Sequence, residues 1–239
     1  MSTHSASPIS SPHCSSFTRI SGIILSLFGL ILTSAPAQPL DSAATQALVE
    51  KIAAQRKAKP FLQANYREEK TGGLLARPAI STGKMWYAAP DKFRKESRDA
   101  GKESIIVSNG EVLFMYYPAF KEAERYDLKK QKFINQGIAA FTSGLDFAQA
   151  NRDFDLTAEQ SERGYTVQLI PKRGVASRML KKLTVILGKE LELQSVQTIS
   201  TRDEKIRTDL SDLSMEPIPA GTFNFTPPAG ANVTTPLGK

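Results

Sequence analysis

The chain has 239 residues, of which 41% are hydrophobic and 23% charged, and it carries a formal net charge of +7 at pH 7. Its only histidines, His4 and His13, and its only cysteine, Cys14, lie close to the N-terminus. Beyond them the sequence excludes disulfides, thiol nucleophiles, Ser-His-Asp triads and His/Cys zinc sites.

The first 37 residues have the pattern of a cleaved export signal. A single charge at Arg19 precedes an apolar run from Ile20 to Leu32, and Ala35 and Ala37 supply the small residues that a signal peptidase reads. The run is shorter than the roughly 20 residues of a comfortable bilayer span, although a retained membrane anchor is the alternative interpretation. We expect cleavage after Ala37 and a single domain over residues 38–239.

The domain begins with a predicted helix and continues with many short strands. The helix is predicted from Asp41 or Ser42 to about Lys57, and Pro60 ends it. Alternation of apolar and polar residues from Leu62 to Glu68 is typical of a half-buried strand. Further strand-like runs lie at 82–87, 92–98, 103–108, 111–117, 154–159, 165–171, 180–187, 191–200 and 206–213.

The middle of the chain has a different pattern. Between residues 131 and 149, apolar residues recur mostly every three or four positions, which predicts one or two short amphipathic helices. The little helical material available can cover only part of a large antiparallel sheet. We therefore predict a mainly β (α+β) fold, an unclosed antiparallel β-barrel of about eleven strands with a helical lid.

Three blocks of sequence resemble one known family. They are Gly-Lys-Met-Trp-Tyr-Ala-Ala-Pro-Asp-Lys-Phe-Arg at 83–94, Ile-Val-Ser-Asn-Gly-Glu-Val-Leu-Phe-Met-Tyr-Tyr-Pro at 106–118, and Phe-Asn-Phe-Thr-Pro-Pro-Ala-Gly at 223–230. In order and spacing they are similar to the LolA family of periplasmic carriers of outer-membrane lipoproteins. The resemblance covers roughly residues 41–235.

The resemblance implies a function. Members of the family are expected to be monomeric periplasmic carriers with an apolar cavity. The cavity takes lipoprotein acyl chains from an inner-membrane ABC transporter of the Lol type and passes them to a LolB-like outer-membrane receptor. Phe93 matches a family aromatic that handles cargo. Two positions depart from the family: Ala89 stands where an Arg often precedes the Pro, and Lys95 stands where an aromatic often follows Phe93 by two residues.

The predicted lipid site consists of apolar side chains on the strands and on the central helical segment. Alternation puts Phe114 and Tyr116 on one face of their strand and Leu113, Met115 and Tyr117 on the other, and it leaves open which face lines a cavity. Ordinary core packing is the alternative for all of them. The candidates are Leu62, Tyr66, Trp86, Phe93, Ile106, Phe114, Tyr116, Ile138 and Phe141.

No other pattern points strongly to chemistry. Asn151, Asp153 and Asp155 have the spacing that begins a calcium loop, but its Gly and distant Glu are missing. Basic runs at 129–132 and 172–182 are typical of solvated faces, or of a surface that docks on an anionic membrane or an acidic partner. We expect neither an enzyme, a cofactor, a metal site nor a nucleic-acid partner. The alternatives to a lipoprotein carrier are a carrier of another lipid and an envelope stress sensor or scaffold without cargo.

Overall fold

A computed structural model describes residues 37–99, 103–131, 147, 150–174 and 176–236. Within these ranges one long helix, α1 (Ser42–Ala58), and two single-turn helices, α2 (Ala150–Asp153) and α3 (Ala176–Met179), accompany thirteen strands. The strands are β1 (Gln38–Pro39), β2 (Phe61–Gly72), β3 (Ala79–Ala88), β4 (Lys92–Ser97), β5 (Ser104–Asn109), β6 (Val112–Tyr117), β7 (Glu122–Asp127), β8 (Phe154–Ser161), β9 (Gly164–Pro171), β10 (Leu180–Leu187), β11 (Leu193–Ser200), β12 (Glu204–Ser214) and β13 (Asn232–Thr234). The predicted helical residues Ile138 and Phe141 lie outside the described ranges.

Helix α1 begins and ends where its sequence predicts. The Asp41 carboxylate accepts a hydrogen bond from the Ala44 backbone N–H at 2.7 Å and thereby caps the first turn. The last turn closes with the Lys59 N–H donating to the Gln55 carbonyl at 3.0 Å, directly before Pro60. Between these ends Val49 and Ile52 are almost fully buried, so the apolar stripe of the helix faces the sheet.

All thirteen strands belong to a single sheet in the order β1-β8-β9-β10-β11-β12-β2-β3-β4-β5-β6-β7-β13. Every neighbouring pair is antiparallel except β13 and β7, which run parallel. The two outer strands, β1 and β13, do not pair with each other, so the sheet is open. This architecture confirms the predicted unclosed, mainly antiparallel β-barrel.

The described residues form thirteen strands where the sequence predicts about eleven. Strand β7 was not predicted because it carries four charges in six residues, and charged side chains weaken the strand signal. It forms through pairing with β6, where Tyr126 lies opposite Leu113 and Ala123 lies opposite Tyr116. The two- and three-residue strands β1 and β13 are too short to give any sequence period.

The sheet has two faces that are covered differently. On one, which we call the helix-side face, α1 packs against side chains of β2, β3 and β8–β11 to form the main hydrophobic core. On strands β2–β6 the opposite face contacts residues 218–225. We call this face the tail-side face and the segment 218–225 the tail. Ile218 and Phe223 of the tail pack there against Ala88, with Phe61 and Trp86 around them.

Candidate functional site

The register of β2–β6 assigns each predicted site residue to one face. Leu62 lies opposite Tyr87, which lies opposite Phe93 on the next strand. Ile106 is paired with Lys95, two residues beyond Phe93. Because side chains alternate along a strand and paired residues share a face, Leu62, Tyr66, Phe93 and Ile106 all lie on the helix-side face.

The remaining described candidates lie on the other side of the sheet. Trp86 is next to Tyr87 on β3, so its side chain lies on the opposite face. There it packs in the small cluster that includes Phe223. Phe114 and Tyr116 contact the ring of Phe225 in the tail, with ring centroids 5.6 Å and 5.7 Å apart respectively. The register therefore divides the described candidates into two groups on opposite faces of the sheet.

On the helix-side face, part of the apolar surface lies beyond the core formed with α1. Leu113, Tyr126 and Leu128 make a second, smaller buried cluster, and Phe93, Ile106 and Met115 pack against it while remaining only half-buried. Phe93 contacts this cluster and the main core at once. We call this half-buried group on β4–β6 the apolar shelf.

A charged pair borders the apolar shelf. The Lys95 ammonium lies 2.5 Å from a Glu68 carboxylate oxygen, and both side chains are about one-fifth exposed, at 22% and 21%. The same carboxylate oxygen accepts a hydrogen bond from the Thr208 hydroxyl at 3.0 Å. The Lys95 nitrogen also lies 4.6 Å from the centre of the Tyr66 ring, within reach of a cation–π attraction.

The sequence pattern places Glu68 and Lys95 on the same face of the sheet. Glu68 continues the alternation of Leu62 and Tyr66, and Lys95 continues that of Phe93, so both had to share the face of these candidates. The sequence does not show that β2 and β4 lie on either side of β3, with Gly83 of β3 paired to both. A Cβ on Gly83 would lie 1.8 Å from the Glu96 carbonyl oxygen and 3.0 Å from the Tyr66 ring. Only glycine therefore fits between the Tyr66 ring and β4.

Two tyrosines on the helix-side face hold their protons strongly. Burial raises the pKa of Tyr66 to about 12, and the negative charge of Glu68 adds to the effect. Burial also raises the pKa of Tyr126 to about 12, assisted by the hydrogen bond that its hydroxyl donates to Glu124 at 2.6 Å. Both phenols are neutral at physiological pH, so they can donate hydrogen bonds but do not supply charge.

Ala89, the second departure from the family pattern, borders an open hollow. The hollow has a volume of ≈ 420 Å³ and lies between the C-terminal half of α1 and the β3–β4 turn. The Ala89 N–H donates to the Pro60 carbonyl at 2.9 Å, and the Tyr87 hydroxyl donates to the Pro90 carbonyl at 3.2 Å, so both bonds hold the turn. The hollow is lined by Ala53, Ala54, Arg56, Lys57, Pro60, Ala89 and Pro90.

The two aspartates of the segment 151–155 both lie near basic side chains. Asp153 pairs with the neighbouring Arg152 at 2.9 Å, and Asp155 lies 3.9 Å from the Lys172 ammonium. Among the residues that the structure describes, no group of three or more His, Cys, Asp or Glu side chains could hold a metal ion. Over the same residues, no helix combines the length and apolar character needed to cross a membrane.

The fold and the apolar shelf define the class of protein: an unclosed β-barrel with a helix against one face and a half-covered apolar surface beside it. A family model described as "Outer membrane lipoprotein carrier protein LolA" matches residues 58–226, well over half of the chain. The chain belongs to the LolA family, as the three sequence blocks predicted.

Individual relatives are distant. Outer-membrane lipoprotein carrier proteins from two Klebsiella pneumoniae strains are each 25% identical over 173 residues, which cover 71% of this chain and 79% of theirs. A conserved protein from Thermus thermophilus has a similar structure, with a TM-score of 0.49, 10% identity and coverage of 80% of this chain and 98% of its own. A LolA superfamily protein from Nitrosomonas europaea also has a similar structure, with a TM-score of 0.46 and 13% identity. The match covers 76% of this chain and 97% of that protein.

Proposed function

We propose that this protein is a periplasmic carrier that binds the acyl chains of lipoproteins and moves them from the inner to the outer membrane. Membership of the LolA family supports a role in lipoprotein binding. The observation that carries the proposal for this chain is the apolar shelf, where Phe93, Ile106 and Met115 stay half-buried beside a complete core. Burial of each acyl CH₂ group there contributes about 0.8 kcal/mol.

The proposed site consists of the helix-side candidates Leu62, Tyr66, Phe93 and Ile106. Leu62 and Tyr66 are buried in the core, so they form the floor, whereas Phe93 and Ile106 offer contact surface. The tail-side candidates Trp86, Phe114 and Tyr116 pack against residues of the tail and are not part of the proposed site. The role is binding rather than catalysis.

Export and exchange partners complete the proposal. The segment 1–37 is removed after Ala37, and the domain of residues 38–239 acts in the periplasm. An inner-membrane ABC transporter of the Lol type supplies the cargo, and a LolB-like receptor at the outer membrane accepts it. Mass spectrometry of protein recovered from the periplasm tests the cleavage site directly.

Two adjacent isoleucines provide a matched test of the site. Ile105 and Ile106 are both half-buried on β5, but Ile106 faces the helix side and Ile105 pairs with Tyr116 on the tail side. Ile106→Glu should weaken binding of a fluorescent diacylated lipopeptide at least tenfold, because a carboxylate is costly to desolvate in an apolar site. Ile105→Glu should leave the dissociation constant within about twofold, since it lies on the far face.

A stability measurement separates loss of binding from loss of folding. Chemical denaturation should show comparable losses of stability for the two variants, and Phe93→Ala provides a milder change if Ile106→Glu does not fold. Emission from Trp86 should stay constant on binding, because this residue lies on the tail-side face. Equal effects of the two glutamates on binding would refute the site. Failure of the unmodified protein to bind any acylated probe would favour the scaffold function.

A further inference from the structure

Three neighbouring hairpin tips project from one end of the sheet. They are residues 73–78 between β2 and β3, 201–203 between β11 and β12, and 172–174 with 176–179 between β9 and β10. The strand order β9-β10-β11-β12-β2-β3 makes these hairpins consecutive. Because neighbouring strands are about 4.8 Å apart, the midlines of adjacent hairpins lie about 10 Å apart. We call this surface the hairpin rim.

Short contacts hold the tips of the hairpin rim together. The Thr201 N–H donates to the Met179 carbonyl at 3.0 Å, and the Lys181 ammonium lies 2.7 Å from the Asp203 carboxylate. On the other side, a Cβ at Gly72 would lie 2.4 Å from the Asp203 carbonyl oxygen. The three tips therefore form one surface with a defined arrangement of side chains.

Large apolar side chains project from this surface. Leu74 is fully exposed, and Leu75 and Met179 are 40% and 37% exposed. Leu74 follows two glycines with positive φ, Gly72 and Gly73, and the turn is closed by the Leu75 N–H donating to the Gly72 carbonyl at 3.2 Å. An isolated exposed leucine is ordinary, but leucine is unusual at the tip of a tight turn, where polar residues dominate.

The charge around these apolar residues is positive. The two nearby carboxylates are already neutralised, Asp203 by Lys181 at 2.7 Å and Glu204 by Lys70 at 2.6 Å. The rim arginines form no ion pair with any described residue, and all are exposed. They are Arg77, Arg173, Arg178 and Arg202.

We infer that the hairpin rim docks the protein on an anionic lipid membrane, with Leu74 and Leu75 inserted at the interface and the arginines against lipid phosphates. A projecting apolar tip suits a soft lipid layer, whereas a folded protein partner needs a complementary pocket for it. One guanidinium group can donate two parallel hydrogen bonds to two oxygens of a phosphate. Each basic residue near an anionic membrane surface strengthens binding to that membrane about fivefold. The hairpin rim and the apolar shelf consist of different residues. The inferred membrane binding therefore does not depend on which cargo the apolar shelf binds.

Co-sedimentation with lipid vesicles tests the inference. The processed protein, recovered from the periplasm with its N-terminus verified, should bind vesicles of phosphatidylcholine mixed with phosphatidylglycerol and bind phosphatidylcholine alone much more weakly. Leu74→Ser with Leu75→Ser should lower the partition coefficient at least tenfold. Arg77→Gln with Arg202→Gln should lower it about 25-fold at low salt and by less at high salt.

Matched controls lie elsewhere on the surface. Val233→Ser removes an apolar side chain that is 47% exposed on β13, and Lys130→Gln removes an exposed charge from the loop after β7. Neither should change the partition coefficient, and all these exposed substitutions should leave the melting temperature unchanged. Absence of vesicle binding by the unsubstituted protein would overturn the inference. So would unchanged binding after the leucine substitutions, or equal binding to polyglutamate-coated beads that does not require Leu74.

Discussion

The two faces of strands β2–β6 both carry aromatic side chains, but different described segments pack against them. On the tail-side face, Phe225 packs on Phe114 and Tyr116, and the Arg94 guanidinium donates to the Thr222 carbonyl at 3.1 Å. On the helix-side face, α1 covers one part and leaves the apolar shelf half-buried. Aromatic content alone therefore does not identify a ligand site. Among the described residues, what distinguishes the two faces is that the tail packs on the aromatic rings of one and α1 packs on part of the other.

The largest expected difference concerns the tail. Phe223→Ala should lower the free energy of unfolding by about 3 kcal/mol, because Phe223 is buried against Ala88 and Trp86 and its removal leaves a cavity. Urea denaturation measures the change. Phe120→Ala, at a side chain that is 72% exposed, is the control and should change stability by less than about 0.5 kcal/mol. If Phe223→Ala weakened cargo binding without lowering stability, the assignment of the tail-side face to structure would be wrong.

A smaller effect should appear at alkaline pH on the helix-side face. The folded protein holds the Tyr66 proton more tightly than the unfolded chain, since the pKa rises from 10.0 to about 12. The resulting stability is complete below pH 10 and is lost as the pH rises towards about 12, by up to about 2 kcal/mol. Tyr66→Phe should flatten this part of the curve in denaturation experiments over a pH series. An identical slope in the variant would contradict the assignment.

The smallest expected effect concerns the charged pair. Glu68→Gln should cost about 1–2 kcal/mol, because it leaves the partly buried Lys95 ammonium without its carboxylate. Combining it with Lys95→Met should recover most of that loss and strengthen binding of the diacylated lipopeptide, since the apolar shelf is then extended.

The fully exposed pair between Lys129 and Glu111 provides the matched control. It has a similar separation, 2.7 Å, but its side chains are 73% and 66% exposed. Glu111→Gln should give no measurable change in either stability or binding, because exposed ion pairs contribute little. Equal effects of Glu68→Gln and Glu111→Gln would show that burial of the Lys95 pair has no energetic consequence.

Local sequence patterns predicted the helices and strands better than they predicted which segments pack on each face of the sheet. Alternation located β2 and β10 to within a few residues, and the Asp41 cap and Pro60 set the limits of α1. The sequence could not show that Phe223 and Phe225 fold back on Trp86, Phe114 and Tyr116, because these contacts join positions more than a hundred residues apart. The candidate list consequently mixed both faces, and the register of the sheet was needed to separate them.

The short strands β1 and β13 have a consequence for the behaviour of the protein in a concentrated environment. An open sheet leaves backbone donors and acceptors on its outermost strands, where another copy could add and begin a fibre. Here β8 is bordered by only two residues, one of them Pro39, which has no N–H to donate, and β7 is bordered by the three residues of β13. Borders this short have few free backbone groups of their own, but they leave residues 154–157 of β8 and 125–127 of β7 unpaired on that side by any described strand. These two stretches are therefore where another copy would add.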